Sequence, residues 1–296
     1  MASDGRATVV RVVDRLAEGG RDVVIVCDFS PPRGADPQLL EPSRRLGADF
    51  ISVAYNPGRS TRVISALAAH WIKENAGKDV VFTLATRDMN KVSTQSLLLG
   101  AALLGLENVV VVRGDEFTER ELESVKQVHD YTPTELVRSI GSMNEGLDYR
   151  GRKLRSSTSF CVGATIDLGH AVEPELRLTR HKVDAGAQFF LLQTLFDPQP
   201  LQEFLSAYTR AYGEDLRTPI FCGVQVMTSE SIVFGDVPPW VRGDLDRGRP
   251  GDDIAVQVLQ RFLDEGFRSI YLVPPILKGG RRDYAAAQRV IEAHRG

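Results

Sequence analysis

The 296-residue chain is 43% hydrophobic and 25% charged with a formal net charge of -3, the balance of an ordinary soluble globular protein with no basic field to draw in a nucleic-acid backbone. No apolar run approaches the roughly 20 residues that cross a bilayer, and Met1 to Arg11 has neither an apolar signal core nor a cleavage site. Nucleic acid and membrane are therefore excluded as partners, and the sequence reads as that of a cytosolic protein.

Residues 1–20 read as an extra helix ahead of the first strand, placed to plug the bottom of a barrel. Beyond it, short β-rich apolar runs alternate with longer segments whose apolar residues recur at helical spacing. The strands fall at Val23–Asp28, Phe50–Val53, Val80–Thr83, Val109–Val112, Phe160–Ala164, Phe189–Leu192, Ile220–Val226 and Ile270–Val273. Helices are predicted at Pro37–Leu46, Thr61–Asn75, Lys91–Leu104, Pro133–Asn144, Glu173–Ala185, Pro198–Tyr212, Asp252–Glu265 and Ala285–His294. Strict alternation of strand and helix predicts an α/β fold, a closed (β/α)8 TIM barrel with residues 1–296 as one domain.

Local chemistry punctuates this pattern. Thr132-Pro133-Thr134-Glu135 places a hydroxyl at N-cap, a proline at N1 and a glutamate at N3, a helix start that satisfies free backbone donors. Gly47, Gly105, Gly186 and Gly266 each precede a strand, where a left-handed residue ends the helix before it. The segments 113–132 and 227–251 exceed the usual βα connection and lie on the face where barrels build their sites. On the helix Pro198–Tyr212, Phe204, Tyr208 and Tyr212 share a stripe that suits packing against the barrel, with a subunit interface as the alternative; oligomeric state is not legible.

Polar residues at the C-terminal strand ends converge on one cavity: Asp28, Asn56, Thr83, Arg87, Asp88, Arg113, Asp115, Thr165, Asp167, Gln193, Asp197, Gln225 and Lys278. No metal site is expected. The five histidines show no ligand spacing, and Cys27, Cys161 and Cys222 read as reduced core thiols. There is no GxSxG elbow, P-loop or GxGxxG turn. Lys278-Gly279-Gly280, after the last strand, reads as either a plain glycine turn or a phosphate cradle of backbone N–H groups.

Several stretches resemble the methylenetetrahydrofolate reductase family in family order. Cys27-Asp28-Phe29-Ser30-Pro31-Pro32 is similar to its Phe-Glu-Phe-Phe-Pro-Pro, and Ser52-Val53-Ala54-Tyr55 to its Ser-Val-Thr-Tyr. Arg113-Gly114-Asp115 matches Arg-Gly-Asp, and Lys182-Val183-Asp184-Ala185-Gly186-Ala187 matches Lys-Val-Asp-Ala-Gly-Ala. Gln193 with Phe196-Asp197 resembles Gln-Phe-Phe-Phe-Asp, and Val237-Pro238-Pro239-Trp240 resembles Ile-Pro-Ala-Trp. A further stretch, Met143 to Asp148 with Gly151 and Phe160, looks like the branch that includes reductases fused to methyltransferases.

The resemblance implies reduction of 5,10-methylenetetrahydrofolate to 5-methyltetrahydrofolate with hydride from NADH or NADPH, in one-carbon metabolism leading to methionine. It assigns Asp28, one methylene shorter than the family glutamate, as the catalytic acid, and Asp115 as the charge that favours a cationic intermediate. Gln193, Tyr55 and Phe196 become substrate-binding residues. The family carries FAD, and the resemblance gives the cofactor side to Arg113, Lys182, Thr83 and Thr165. Thr83 stands for a family histidine, Ala54 for a threonine and Thr165 for a tyrosine, so the flavin contacts are weakened together. Direct hydride transfer from the nicotinamide to folate, without flavin, is the expectation; the alternatives are a folate-binding barrel without catalysis and a flavin-dependent reductase of another substrate.

Overall fold

The computed structural model describes residues 10–18, 22–233 and 236–295. Its strands are β1 (Val24–Phe29), β2 (Phe50–Val53), β3 (Asp79–Ala85), β4 (Asn108–Val112), β5 (Cys161–Ile166), β6 (Phe189–Thr194), β7 (Ile220–Gln225) and β8 (Ser269–Val273). They close in sequence order into one parallel barrel, with β1 pairing both β2 and β8. The helices are α1 (Val12–Glu18), α2 (Ser65–Ala76), α3 (Lys91–Leu103), α4 (Glu119–Leu122), α5 (Pro133–Asn144), α6 (Val172–Asp184), α7 (Gln199–Tyr212), α8 (Pro239–Asp246), α9 (Gly251–Asp264) and α10 (Tyr284–Arg295).

Two apolar cores follow from the alternation of side chains along each strand. Odd and even positions separate: Ile25, Cys27, Ile51, Phe82, Val111, Val162, Leu192, Val224 and Leu272 face the helix layer. Val24, Val26, Phe50, Val81, Val110, Cys161, Phe189, Leu191 and Phe221 fill the barrel itself. Phe204 and Tyr208 on α7 join the outer core, as their spacing predicts, with Tyr212 packed against it. The three cysteines are free and buried, and burial raises each thiol's pKa, that of Cys222 to about 12.

Of the predicted N-terminal helix, Val12–Glu18 is described and the rest lies outside the described residues. Val12 is fully buried in the inner core. Asn108, at the foot of β4, accepts from the Val12 N–H at 2.9 Å and donates to the Val10 and Val80 carbonyls. This segment lies across the N-terminal end of the barrel.

The helix predicted at Pro37–Leu46 is instead 3-10 over Pro37–Arg45, because Pro42 inside it removes a backbone donor that an α-helix needs. Gly105, Gly186 and Gly266 are left-handed as expected. Gly47 is not; its N–H donates to Gln288 Oε1 at 2.7 Å, and an added Cβ would meet its neighbours only at ordinary contact distance, 3.4 Å or more. The Thr132–Glu135 capping box forms at the start of α5. At that helix's other end Asn144 bonds both backbone groups of Phe160, so part of the branch-like stretch is a clasp holding the entry to β5.

A register shift between Leu191 and Thr194 brings β6 against β7 at Gly223. A Cβ there would stand 2.4 Å from the Leu192 carbonyl oxygen, a backbone atom that cannot step aside. Gly223→Ala is expected to destabilise the barrel by about 1–3 kcal/mol, read as a lower denaturation midpoint. Unchanged stability would mean that β6 yields at no cost.

Candidate active site

Inward alternation brings Asp28, Ser52, Thr83, Thr165, Gln193, Gln225 and Tyr271 to the upper inner wall of the barrel, because each lies two or four residues beyond an inner-core residue or packs against that core itself. Active sites of this fold sit at that end. The wall is uneven in depth: Asp28 and Gln225 are buried, Thr83 and Thr165 half-buried, and Gln193 open to solvent.

Asp28 is the best-supported side chain of the group. Tyr271 on β8 donates to its Oδ1 at 3.1 Å, and Arg282 Nε lies 3.3 Å from Oδ2, with the Asp28 and Arg282 side chains each under a tenth exposed. A buried carboxylate needs such partners. Burial, reinforced by the charge of Asp28, raises the Tyr271 pKa well above its ordinary value. Tyr284 stacks on Phe29 with ring centroids 4.7 Å apart and accepts from the Ser30 N–H, and burial raises its pKa too. Both tyrosines therefore stay neutral donors at physiological pH.

Arg282 reaches Asp28 because the loop after β8 folds back on itself. Ile276 and Arg282 bridge in antiparallel fashion, and the Leu277 N–H donates to the Arg281 carbonyl. Sequence reasoning missed Tyr271, Arg282 and Tyr284. Tyr271 was accessible to it, as a polar-tipped residue between the outward Ile270 and Leu272 of β8.

A second group gathers after β2, β3 and β4. Arg87 is buried, donates from Nη2 to Asp88 at 2.9 Å and from Nη1 to the Asp115 carbonyl at 2.6 Å, and lies 4.3 Å from the Phe117 ring centre. Burial and Asp88, which shares a hydrogen bond with it, push the Tyr55 hydroxyl up to about 12. The long loop after β4 is tied to the β2 loop by Arg59 and Glu121, 2.9 Å apart. Asp115 is thus held by its backbone, with its side chain exposed.

Other residues named from the sequence lie elsewhere. Lys182 is buried between α6 and the barrel wall, where its Nζ donates to the Thr165 carbonyl at 2.6 Å and to Glu175 at 3.2 Å. Phe196 is buried in the outer core. Arg113 is exposed and paired with Glu116. The cations that the resemblance gives to a flavin thus do not converge on the mouth: Lys182 is committed to the wall and Arg113 to solvent. The residues present do not fit an FAD site.

The architecture defines a (β/α)8 barrel with a polar mouth at the C-terminal ends of its strands. A model of the methylenetetrahydrofolate reductase family matches residues 12–233, three quarters of the chain, and the chain belongs to that family. A curated relative from Caenorhabditis elegans, described as a probable methylenetetrahydrofolate reductase (NADPH), is 25% identical over 288 residues, covering 86% of this chain and 41% of the relative. The chain therefore spans about two fifths of that relative's length. Among solved structures, an uncharacterised protein from Clostridium thermocellum that binds two copies of 5-methyl-5,6,7,8-tetrahydrofolic acid superposes with a TM-score of 0.66 at 11% identity, over 96% of this chain and 99% of that one. An oxaloacetate acetylhydrolase superposes at 0.53 with 10% identity, over 95% and 80%. At these identities the two structures speak for the fold alone.

Proposed function

We propose that this barrel reduces 5,10-methylenetetrahydrofolate to 5-methyltetrahydrofolate by taking hydride directly from NADH or NADPH, with no flavin between them. Family membership supports the substrate. The observation that carries the flavin-free step is the commitment of Lys182 to Glu175 and the Thr165 carbonyl, which leaves the mouth without a cation the family gives to FAD. The whole of residues 1–296 is read as this one domain, working in the cytoplasm.

The reaction opens when a proton reaches the bridging nitrogen of the substrate and its bond to the methylene carbon breaks, leaving an iminium ion. Hydride from the dihydronicotinamide then adds to that carbon; one proton and one hydride are consumed, and oxidised nucleotide and the methyl product leave. Asp28, a carboxylate in the substrate-free site, takes up a proton from solvent as the substrates bind and passes it to the nitrogen, held in orientation by Tyr271 and Arg282. Asp115, Gln193 and Tyr55 face the folate, with Gln193 pairing adjacent donor and acceptor groups of the pterin. Thr83 and Thr165 line the wall across from Asp28 and face the reacting pair, with Arg113 outside the mouth, while Lys182 and Phe196 fix strand ends from behind.

Direct transfer needs both substrates bound at once. Anaerobic initial rates of NADH oxidation without added flavin should give intersecting double-reciprocal lines. Parallel lines, or turnover only after FAD is supplied, would overturn the flavin-free step and leave the reductase reading standing.

A further inference from the structure

Above Asp28, on the loops after β1, β2 and β8, stand cations that this site has not used. Arg62 donates from Nη1 to the Pro31 carbonyl at 2.8 Å and from Nε to Ser60 Oγ at 3.0 Å. Its Nη2 lies against Gly280, where an added Cβ would come within 2.5 Å of it. Only glycine lets the guanidinium rest on this turn. Gly279 and Gly280 are both left-handed, at φ 78 and 77; the Gly280 N–H closes the turn on the Leu277 carbonyl at 2.9 Å, which leaves the Lys278 and Gly279 N–H groups for an anion, as turns of this kind allow.

The charge here is one-sided. Arg282 has Asp28 as its partner, whereas Arg33, Arg62, Lys278 and Arg281 make no ion pair among the described residues. Asp283, the acid next in sequence, caps α10 through the Ala286 N–H. Burial and the nearby charges of Arg282 and Arg33 depress the Arg62 pKa, the electrostatic mark of cations crowded without an anion. Ser30 Oγ, buried one residue before the Pro31 carbonyl, has no hydrogen-bond partner.

We propose that Arg62 and Arg33, with the Lys278–Gly280 turn, form a diphosphate subsite that takes the bridging phosphates of the nicotinamide nucleotide. This rests on the reading of the barrel as a nicotinamide-dependent reductase. A diphosphate presents two adjacent charges to guanidinium forks and backbone N–H groups together. It is also one ribose away from the nicotinamide, which has to stand beside Asp28. The carboxylates of folate's glutamate tail offer the same sign of charge from the other substrate.

The test is equilibrium binding, which needs no turnover. NADH and 5-methyltetrahydrofolate are titrated separately into the whole protein, Arg62→Gln and Arg33→Gln, and inorganic pyrophosphate is used to displace NADH. Arg33 is exposed, so its variant tests the site even where Arg62→Gln folds poorly. Removing one charged contact is expected to weaken NADH by about 10- to 100-fold and leave folate binding within about twofold. Pyrophosphate should displace NADH from the parent protein and do so less well in the variants. A loss falling on methyltetrahydrofolate instead would make this a carboxylate subsite and overturn the proposal. So would unchanged NADH affinity, NADH that pyrophosphate cannot displace, or no NADH binding by the parent. The expected pattern in a protein that never reduces methylenetetrahydrofolate would uphold the subsite while sinking the reductase reading.

Discussion

Asp28→Asn is expected to lower turnover of methylenetetrahydrofolate by about 10²- to 10⁴-fold, the range that a positioned general acid contributes, with methyltetrahydrofolate affinity nearly unchanged. The amide keeps the shape of the side chain and can still accept from Tyr271, but it has no proton to give. A loss confined to KM, with kcat intact, would show Asp28 to be a binding group and return the acid to another residue. Because Arg282 loses its charge partner in the same variant, rates have to be compared on protein shown to be folded.

Arg282→Met is expected to destabilise the fold by about 3–5 kcal/mol, the usual consequence of leaving one member of a buried ion pair alone. Asp28 would then keep only the Tyr271 hydroxyl as a neutral donor. The double variant Asp28→Asn with Arg282→Met removes both charges and should recover most of that stability while remaining inactive. Denaturant unfolding of the parent, both single variants and the double variant gives the coupling directly. Strictly additive losses would mean that the two groups, 3.3 Å apart, do not depend on each other.

Strand order and the inward set of residues were legible because both rest on local rules: apolar periodicity fixes each strand, and alternation fixes which side chains share a face. Asp28, Thr83, Thr165 and Gln193, at C-terminal strand ends, could therefore be assigned from sequence to one end of the barrel. A motif match carries no such directional rule. Lys182 belongs to a family motif yet sits on an outer helix, where its side chain reaches back to the Thr165 carbonyl. Arg282 was hidden for the opposite reason. It lies 254 residues from Asp28, past a glycine turn, and only the fold-back of the β8 loop brings it home. Gly47 shows a third case, in which a glycine without left-handed geometry looks the same in sequence as one chosen for handedness. The 3-10 geometry of residues 37–45 was readable from Pro42 but was outweighed by the apolar spacing around it.

The segment around Val12 laid across the foot of the barrel has a consequence for traffic. With Val12 fully buried among the lowest inner residues and its backbone bonded to Asn108, this vessel has a floor, and the rim carrying Arg62, Arg282 and Gln193 lies at the opposite end. Two molecules that share one doorway cannot pass each other inside. For the two substrates of the proposed reaction, the one seated deeper would arrive first and depart last, an order set at the end of the barrel farthest from the chemistry.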